Sequence, residues 1–286
     1  LVLAGCPAAS VRDTPPPPPG PDAGPSTSEV PSAGGRYDPT RYDQPVRKPV
    51  RFTVTVQNVS GDSPLPTSLG PGAWALHAPG VWPLYESGRF DLGRGLEALV
   101  EDGDSEELLD SLADALPRGS WGLFGSPGEG AGVALKAGES TSFSFVAAPP
   151  TGGAPSQRLA LALPLVATND LFVGPASEGL GLFDGRGRAL HGDITARLGP
   201  WQAGTESDEP PGSGPWQRER QPAWYGGDAG PEEGAVRLFT HSTRALPGVE
   251  GLVAIEGRDV AAGADTELIV VINNAAGWEF AVETDI

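Results

Sequence analysis

Methionine is absent from the 286 residues, cysteine occurs once and histidine three times. A single cysteine excludes an intrachain disulfide framework and any cysteine-based zinc cluster. The histidines, His77, His191 and His241, form no HxxxH or HxH pair. No Gly-x-Ser-x-Gly elbow exists to place a serine beside one of them, so a hydrolase triad has no local support. No apolar run reaches the ~18 to 20 residues that span a bilayer, which leaves covalent attachment as the route to a membrane. Basic side chains are scarce, 19 against 37 acidic ones, for a net charge of −18. Such a chain repels phosphate backbones and anionic lipid and favours divalent cations, so nucleic acid is excluded as a partner.

What the chain has in abundance is glycine and proline, 41 and 31 residues, a quarter of the total. This favours strands and loops over long helices. It opens Leu1-Val-Leu-Ala-Gly-Cys6, an apolar stub with two small residues before cysteine, which resembles a bacterial lipobox. In such signals the thiol receives a diacylglyceryl group and the preceding bond is cut. Residues 1–6 are accordingly expected to be a signal-peptide remnant with Cys6 as the lipidation site, the lack of any methionine fitting a sequence cut within its signal. Pro7 follows Cys6 where an inner-membrane retention signal has Asp, which favours the outer membrane or cell surface. Residues 7–45 include five consecutive prolines, Pro15 to Pro19, and few large apolar groups before Tyr37. They cannot bury enough surface to offset ordering entropy. They are expected to be a disordered stalk that sets the folded part on the order of 50 to 100 Å from the membrane.

Residues 46–286 carry the folding information. Phe52, Val54 and Val56 alternate with Arg51, Thr53 and Thr55, the pattern of a half-buried strand. Similar segments at 142–147, 158–167, 235–240, 251–256, 267–273 and 278–283 are bounded by Gly, Pro, Asp or Asn. Seven or so short strands predict an all-β, antiparallel β-sandwich. A helical interlude runs from Gly95 to Leu116, with leucines at 96, 99, 108, 109, 112 and 116, broken at Asp102-Gly103. Asp104 and Glu107 read as the N-terminal cap of its second half.

The acidic run 101–106 does not meet the spacing of an EF-hand, which from Asp102 needs Gly at 107 and Glu at 113; Glu107 and Ala113 stand there. Helix capping accounts for the run. Between Val166 and Gly212, Asp170, Gln202 and Glu206 could gather oxygen ligands for a hard cation at one end of a sandwich. The same residues also read as turn formers and solvated acids. A different reading makes the protein a carbohydrate-binding or glycoside-hydrolysing sandwich, with exposed Trp201, Trp216, Trp224 and Tyr225 as a stacking surface and an acidic pair as catalyst.

Several segments in order resemble the bacterial branch of the spondin domain. They are Phe52-Thr-Val-Thr-Val-Gln-Asn-Val-Ser60, Pro71-Gly-Ala-Trp-Ala-Leu-His77, Gly95-Leu-Glu-Ala-Leu-Val-Glu-Asp-Gly-Asp104, Thr168-Asn-Asp-Leu-Phe172, Trp201-Gln-Ala-Gly-Thr-Glu206 and Glu209-Pro-Pro-Gly212. The likeness covers about residues 50–245. It implies a C2-like antiparallel sandwich, a non-enzymatic matrix or adhesion role, and calcium held by Asp170, Gln202 and Glu206. Gln202 stands where the family has a carboxylate and Glu206 where it has Asp, so the calcium affinity is expected to be weak, at or below the ~10⁻⁴ to 10⁻³ M range of extracellular modules. The resulting expectation is a lipid-anchored adhesion or binding module of the bacterial cell envelope. Its partner would be an extracellular or envelope protein or a glycan.

Overall fold

The computed structural model describes residues 42–45, 48–221 apart from 63–65, 92, 126–131, 151–154, 193, 208, 210 and 213, then 234–239, 259–260 and 265–272. In chain order these form β1 (Tyr42–Pro45), β2 (Val50–Asn58), β3 (Gly72–His77), α1 (Leu96–Glu101), α2 (Glu106–Ala115), β4 (Trp121–Phe124), β5 (Ser140–Ala147), β6 (Arg158–Pro164), β7 (Leu171–Gly174), β8 (Leu180–Gly181), β9 (Arg188–Leu190), β10 (Gly199–Gln202), β11 (Arg237–Leu238), β12 (Asp259–Val260) and β13 (Asp265–Ile272). The fold is all-β with two short helices, as the strand pattern predicts. The segments expected at 251–256 and 278–283, and the expected signal remnant and lipidation site at Cys6, lie outside the described residues.

Seven strands make the larger sheet, in the order β11-β10-β7-β6-β3-β4 with β8 also on β6; a second sheet runs β12-β13-β2-β5, and β1 pairs with β9. Tyr42–Pro45, within the expected stalk, is therefore already sheet, antiparallel to Arg188–Leu190. One pairing departs from the antiparallel expectation: β13 lies parallel to β2, with Leu268 opposite Val54 and Val270 opposite Val56. A parallel neighbour needs a crossover rather than a hairpin, and here residues 59–264 separate the two strands.

Side-chain size is sorted by face. On β3 and β6, Trp74, Leu76, Leu159, Leu161 and Leu163 point into the space between sheets, where they meet Phe52, Val54, Val56 and Phe145. Phe52 stacks on Phe145 at 5.3 Å between ring centroids, and Trp74 on Phe143 at 5.2 Å. The alternate residues Ala73, Ala75, Ala160 and Ala162 face the other way, onto Leu96, Leu99, Leu108 and Leu112 of the helices. Alanines there let the helix pair approach the sheet closely enough to exclude water. Asp91 fastens the start of α1, its Oδ2 accepting the Glu97 N–H at 2.9 Å. The expected break between the helices is present, and Asp104 Oδ1 accepts the Glu106 N–H at 3.0 Å, with Ser105 rather than Asp104 at the capping position of α2.

Candidate functional site, a buried carboxylate cluster

After β6 the chain turns sharply through residues 165–170. Both the N–H and the hydroxyl of Thr168 donate to Leu165 O, at 3.0 and 2.6 Å. Asp170 then enters the ladder with β10: its carbonyl accepts the Ala203 N–H at 3.1 Å and its Oδ2 the Gly204 N–H at 2.9 Å. Gly204 has φ of +78°, and a Cβ there would lie 2.5 Å from Gly234 O and 2.7 Å from Ala235 O. Only glycine fits this place. Beyond it the loop is stitched to the turn: Asn169 Nδ2 donates to Ser207 O at 2.5 Å, Asn169 Oδ1 accepts the Glu209 N–H at 3.3 Å, and Ala167 O accepts the Gly212 N–H at 2.8 Å.

These bonds bury Glu206 in the loop, and Glu101 at the end of α1 lies within reach of the charges of both Glu206 and Asp170. Asp170 is 0 %, Glu206 2 % and Glu101 9 % exposed. Burial pushes the Glu101 carboxyl up to about 8; the Thr205 hydroxyl opposes this, and the charges of Glu206, Glu97 and Asp170 add to it. Glu206 is pushed up to about 7, again chiefly by burial, opposed by the Asn169 amide and reinforced by Glu209, Asp102 and Glu97. Glu101 Oε1 and Glu206 Oε2 are buried with no hydrogen-bond partner among the described residues. Orphaned buried oxygens of this kind cost about 1 to 3 kcal/mol each or more, and are the atoms a hard cation would engage.

Asp170 and Glu206, two of the three expected ligands, are both buried, and the Glu101 carboxyl feels the charge of each. Gln202 does not arrive from the same side. It is opposite Leu171 in the β7–β10 register, so strand alternation puts it with Leu171 and Val173, while Trp201 and Ala203 share the helix-covered face with Phe172. Glu101 is the residue the sequence reading missed, assigned there with its neighbours to helix capping. Among the described residues no three His, Cys, Asp or Glu side chains stand close enough to hold a metal ion by themselves. A cation here would complete its shell with backbone carbonyls and water.

Of the four rings of the alternative reading's aromatic platform, two lie within the described residues and neither is exposed. Trp201 is 1 % exposed, its Nε1 donating to Gly174 O at 3.2 Å and its ring against Tyr85 at 5.3 Å. Trp216 is half-buried, and Trp224 and Tyr225 lie outside the described residues. Among the described residues no helix is long and apolar enough to cross a membrane. Comparison with family models, with characterised proteins and with solved structures finds no match to this chain.

Proposed function

We propose that this chain is a non-enzymatic binding module of the bacterial cell envelope, tethered by lipid on Cys6, whose loop end takes a weakly held hard divalent cation such as calcium. The observation that carries the cation site is the burial of Glu101 and Glu206, each with one carboxylate oxygen that has no hydrogen-bond partner among the described residues. Oxygen-only donors of net negative charge suit calcium, and a site that pins three chain segments suits a structural rather than a chemical role. At most two of Asp170, Glu206 and Glu101 serve one ion, with backbone carbonyls and water completing its shell. Gln202, on the opposite face, is the least suited to direct ligation. With no third carboxylate to offset the missing acid at 202, the affinity lies at the weak end of the ~10⁻⁴ to 10⁻³ M range.

The segments resembling spondin domains support the same reading, since the likeness implies an extracellular adhesion fold with calcium at this loop end. The partner is an envelope or extracellular protein or a glycan, met by the loops around the site, because loops held by a rigid sandwich are where such folds present contacts. The test is thermal unfolding of the full chain carrying Cys6→Ser, in calcium and in chelator. A ligand bound only by the folded state at ten times its Kd stabilises by about 1.4 kcal/mol. A calcium-dependent rise in Tm, absent in Asp170→Ala, is the expected result. No shift at 10 mM calcium, on the order of ten times the weakest expected Kd, would remove the site.

A further inference from the structure

β5 is the last strand of its sheet. Ser140–Ala147 reads Ser-Thr-Ser-Phe-Ser-Phe-Val-Ala, without an acid, a lysine or a proline, in a chain of net charge −18. It keeps unbroken register with β2 from Val50 opposite Ala147 to Gln57 opposite Ser140. The devices that commonly protect a sheet edge, a charge, a proline or a bulge within the strand, are all missing from it.

The ladder decides which backbone groups face outward. Just before the strand, Gly138 at φ +86° makes a bulge in which its N–H donates to Asn58 O at 2.6 Å, and the Asn58 N–H donates to Glu139 O at 2.9 Å. Bonded and non-bonded pairs alternate along an antiparallel ladder, so Thr141, Phe143, Phe145 and Ala147 are the residues bonded to β2. Ser140, Ser142, Ser144 and Val146 turn their N–H and C=O groups to the other edge, where no strand lies among the described residues. The same four residues have exposed side chains. Thr53 and Thr55 on β2 share hydrogen bonds with the hydroxyls of Ser144 and Ser142, at 2.9 and 2.7 Å, so this face is an ordered row of hydroxyls. On the inner side Phe143 is only half-buried, stacked against Trp74 at 5.2 Å and Phe124 at 4.9 Å.

We propose that this edge pairs antiparallel with the β5 edge of a second copy of the chain, about a two-fold axis at Phe143. That register sets Ser142 opposite Ser144 of the partner subunit and Ser140 opposite Val146 of the partner subunit. It is the two-fold register in which all four outward-facing residues are matched among themselves. The two Phe143 rings then meet at a non-bonded pair, where side chains approach most closely, each covering the half-exposed ring of the other. Charge selects the occupant. A basic foreign segment is drawn to acids, which this strand lacks, whereas two copies of an acidic chain can approach only along a stretch free of acids. A strand edge alone buries less than the roughly 1,200 Å² of a lasting complex, so the dimer is reversible. Salt, by screening the net charge, strengthens it.

The experiment is sedimentation equilibrium of the Cys6→Ser chain in chelator, at rising salt and up to roughly 1 mM protein, where even a millimolar Kd registers. Hydrogen exchange of the backbone amides is followed over the same range. The expected result is a mass rising from one copy to two, more readily at higher salt, with exchange slowed at Ser140, Ser142, Ser144 and Val146 as the dimer forms. Ser142→Glu together with Ser144→Glu sets carboxylates directly opposite one another and should weaken association roughly tenfold. Ser142→Lys together with Ser144→Lys should do the same, and a mixture of the two double variants should pair one to one at least as tightly as the parent. A parent chain that stays monomeric throughout, a dimer that neither double variant weakens, or a dimer that leaves those four amides unprotected would overturn the proposal. A monomeric parent whose same amides are protected by an added extended peptide would overturn the second copy as occupant. Tm of the double variants checks their folding, and if either fails to fold, hydrogen exchange of the parent still decides the matter.

Discussion

The carboxylate of Asp170 accepts the backbone N–H of Gly204 at 2.9 Å, joining residues 34 apart in sequence. One side-chain oxygen thus fixes the entry of the loop that carries Glu206. Asp170→Asn keeps an acceptor for Gly204 while removing the charge, so it should fold with little loss of stability yet lose any calcium-dependent rise in Tm. Asp170→Ala also strands the Gly204 N–H and should cost a further 1 to 3 kcal/mol, about the desolvation penalty of an unpaired buried donor. Urea unfolding in chelator separates the two effects.

Gly204→Ala should be more damaging than its size suggests. It places a Cβ against Gly234 O and Ala235 O at a left-handed backbone position. A loss of about 2 kcal/mol or more is expected, and with it the calcium response, because Asp170 and Glu206 are positioned through this residue.

The cluster also gives the metal-free protein an unusual pH response. Glu101 and Glu206 have folded-state values raised to about 8 and about 7, above those of an unfolded chain, so the folded state binds their protons more tightly. Their favourable contribution is complete below pH ~4.3 and is lost as pH rises through the folded values. The groups facing them are Glu97, Asp102, Asp170 and Glu209, with Thr205 and Asn169 as the polar neighbours. In chelator, stability should fall between pH 5 and 8, Glu101→Gln should flatten that fall, and calcium should reverse it. Urea titrations at each pH provide the check.

His77 acts in the other direction. It is buried beside Gly179, its Nδ1 at 3.0 Å from Ala78 O and its Nε2 without a partner among the described residues. Burial holds its value down, assisted by the Arg158 charge and opposed by the carbonyls of Ala78 and Val81. The neutral ring is the folded form, so its contribution is present above pH ~6.5 and is lost as pH falls through the unfolded value toward the lowered one. Proton resonances of the imidazole should therefore titrate below pH ~6.5 in the folded protein.

In the sandwich interior, Phe52 is fully buried, stacked on Phe145 and edge-on to Phe183 at 5.6 Å. Phe52→Ala should cost about 3 to 5 kcal/mol, measured as a lowered urea midpoint with an unchanged slope.

β2 could be read from its residues because one face is buried and the other is not: Phe52, Val54 and Val56 alternate with half-exposed Thr53, Thr55 and Gln57. β3, β7 and β10 are buried on both faces, so no alternation marks them and the sequence pattern passes over all three. The helices were visible from leucine spacing and the Gly103 break. Glu101 was not, because nothing local distinguishes it from Glu106 and Glu107; it is the turn at 102–104 and the packing of α1 on the sheet that bury one acid and leave the others in water. Gln202 shows the converse. Its place in a motif suggested a ligand, while strand alternation beside Trp201 assigns it the opposite face.

The parallel pairing of β13 with β2 has a kinetic consequence. Val54 and Leu268 are in register yet roughly 210 residues apart along the chain, and contacts of such separation form late because the loop between them must close first. During synthesis the strand 50–58 therefore stands with one edge unpaired until residues 265–272 arrive. For that interval its backbone is open to any extended segment of another chain.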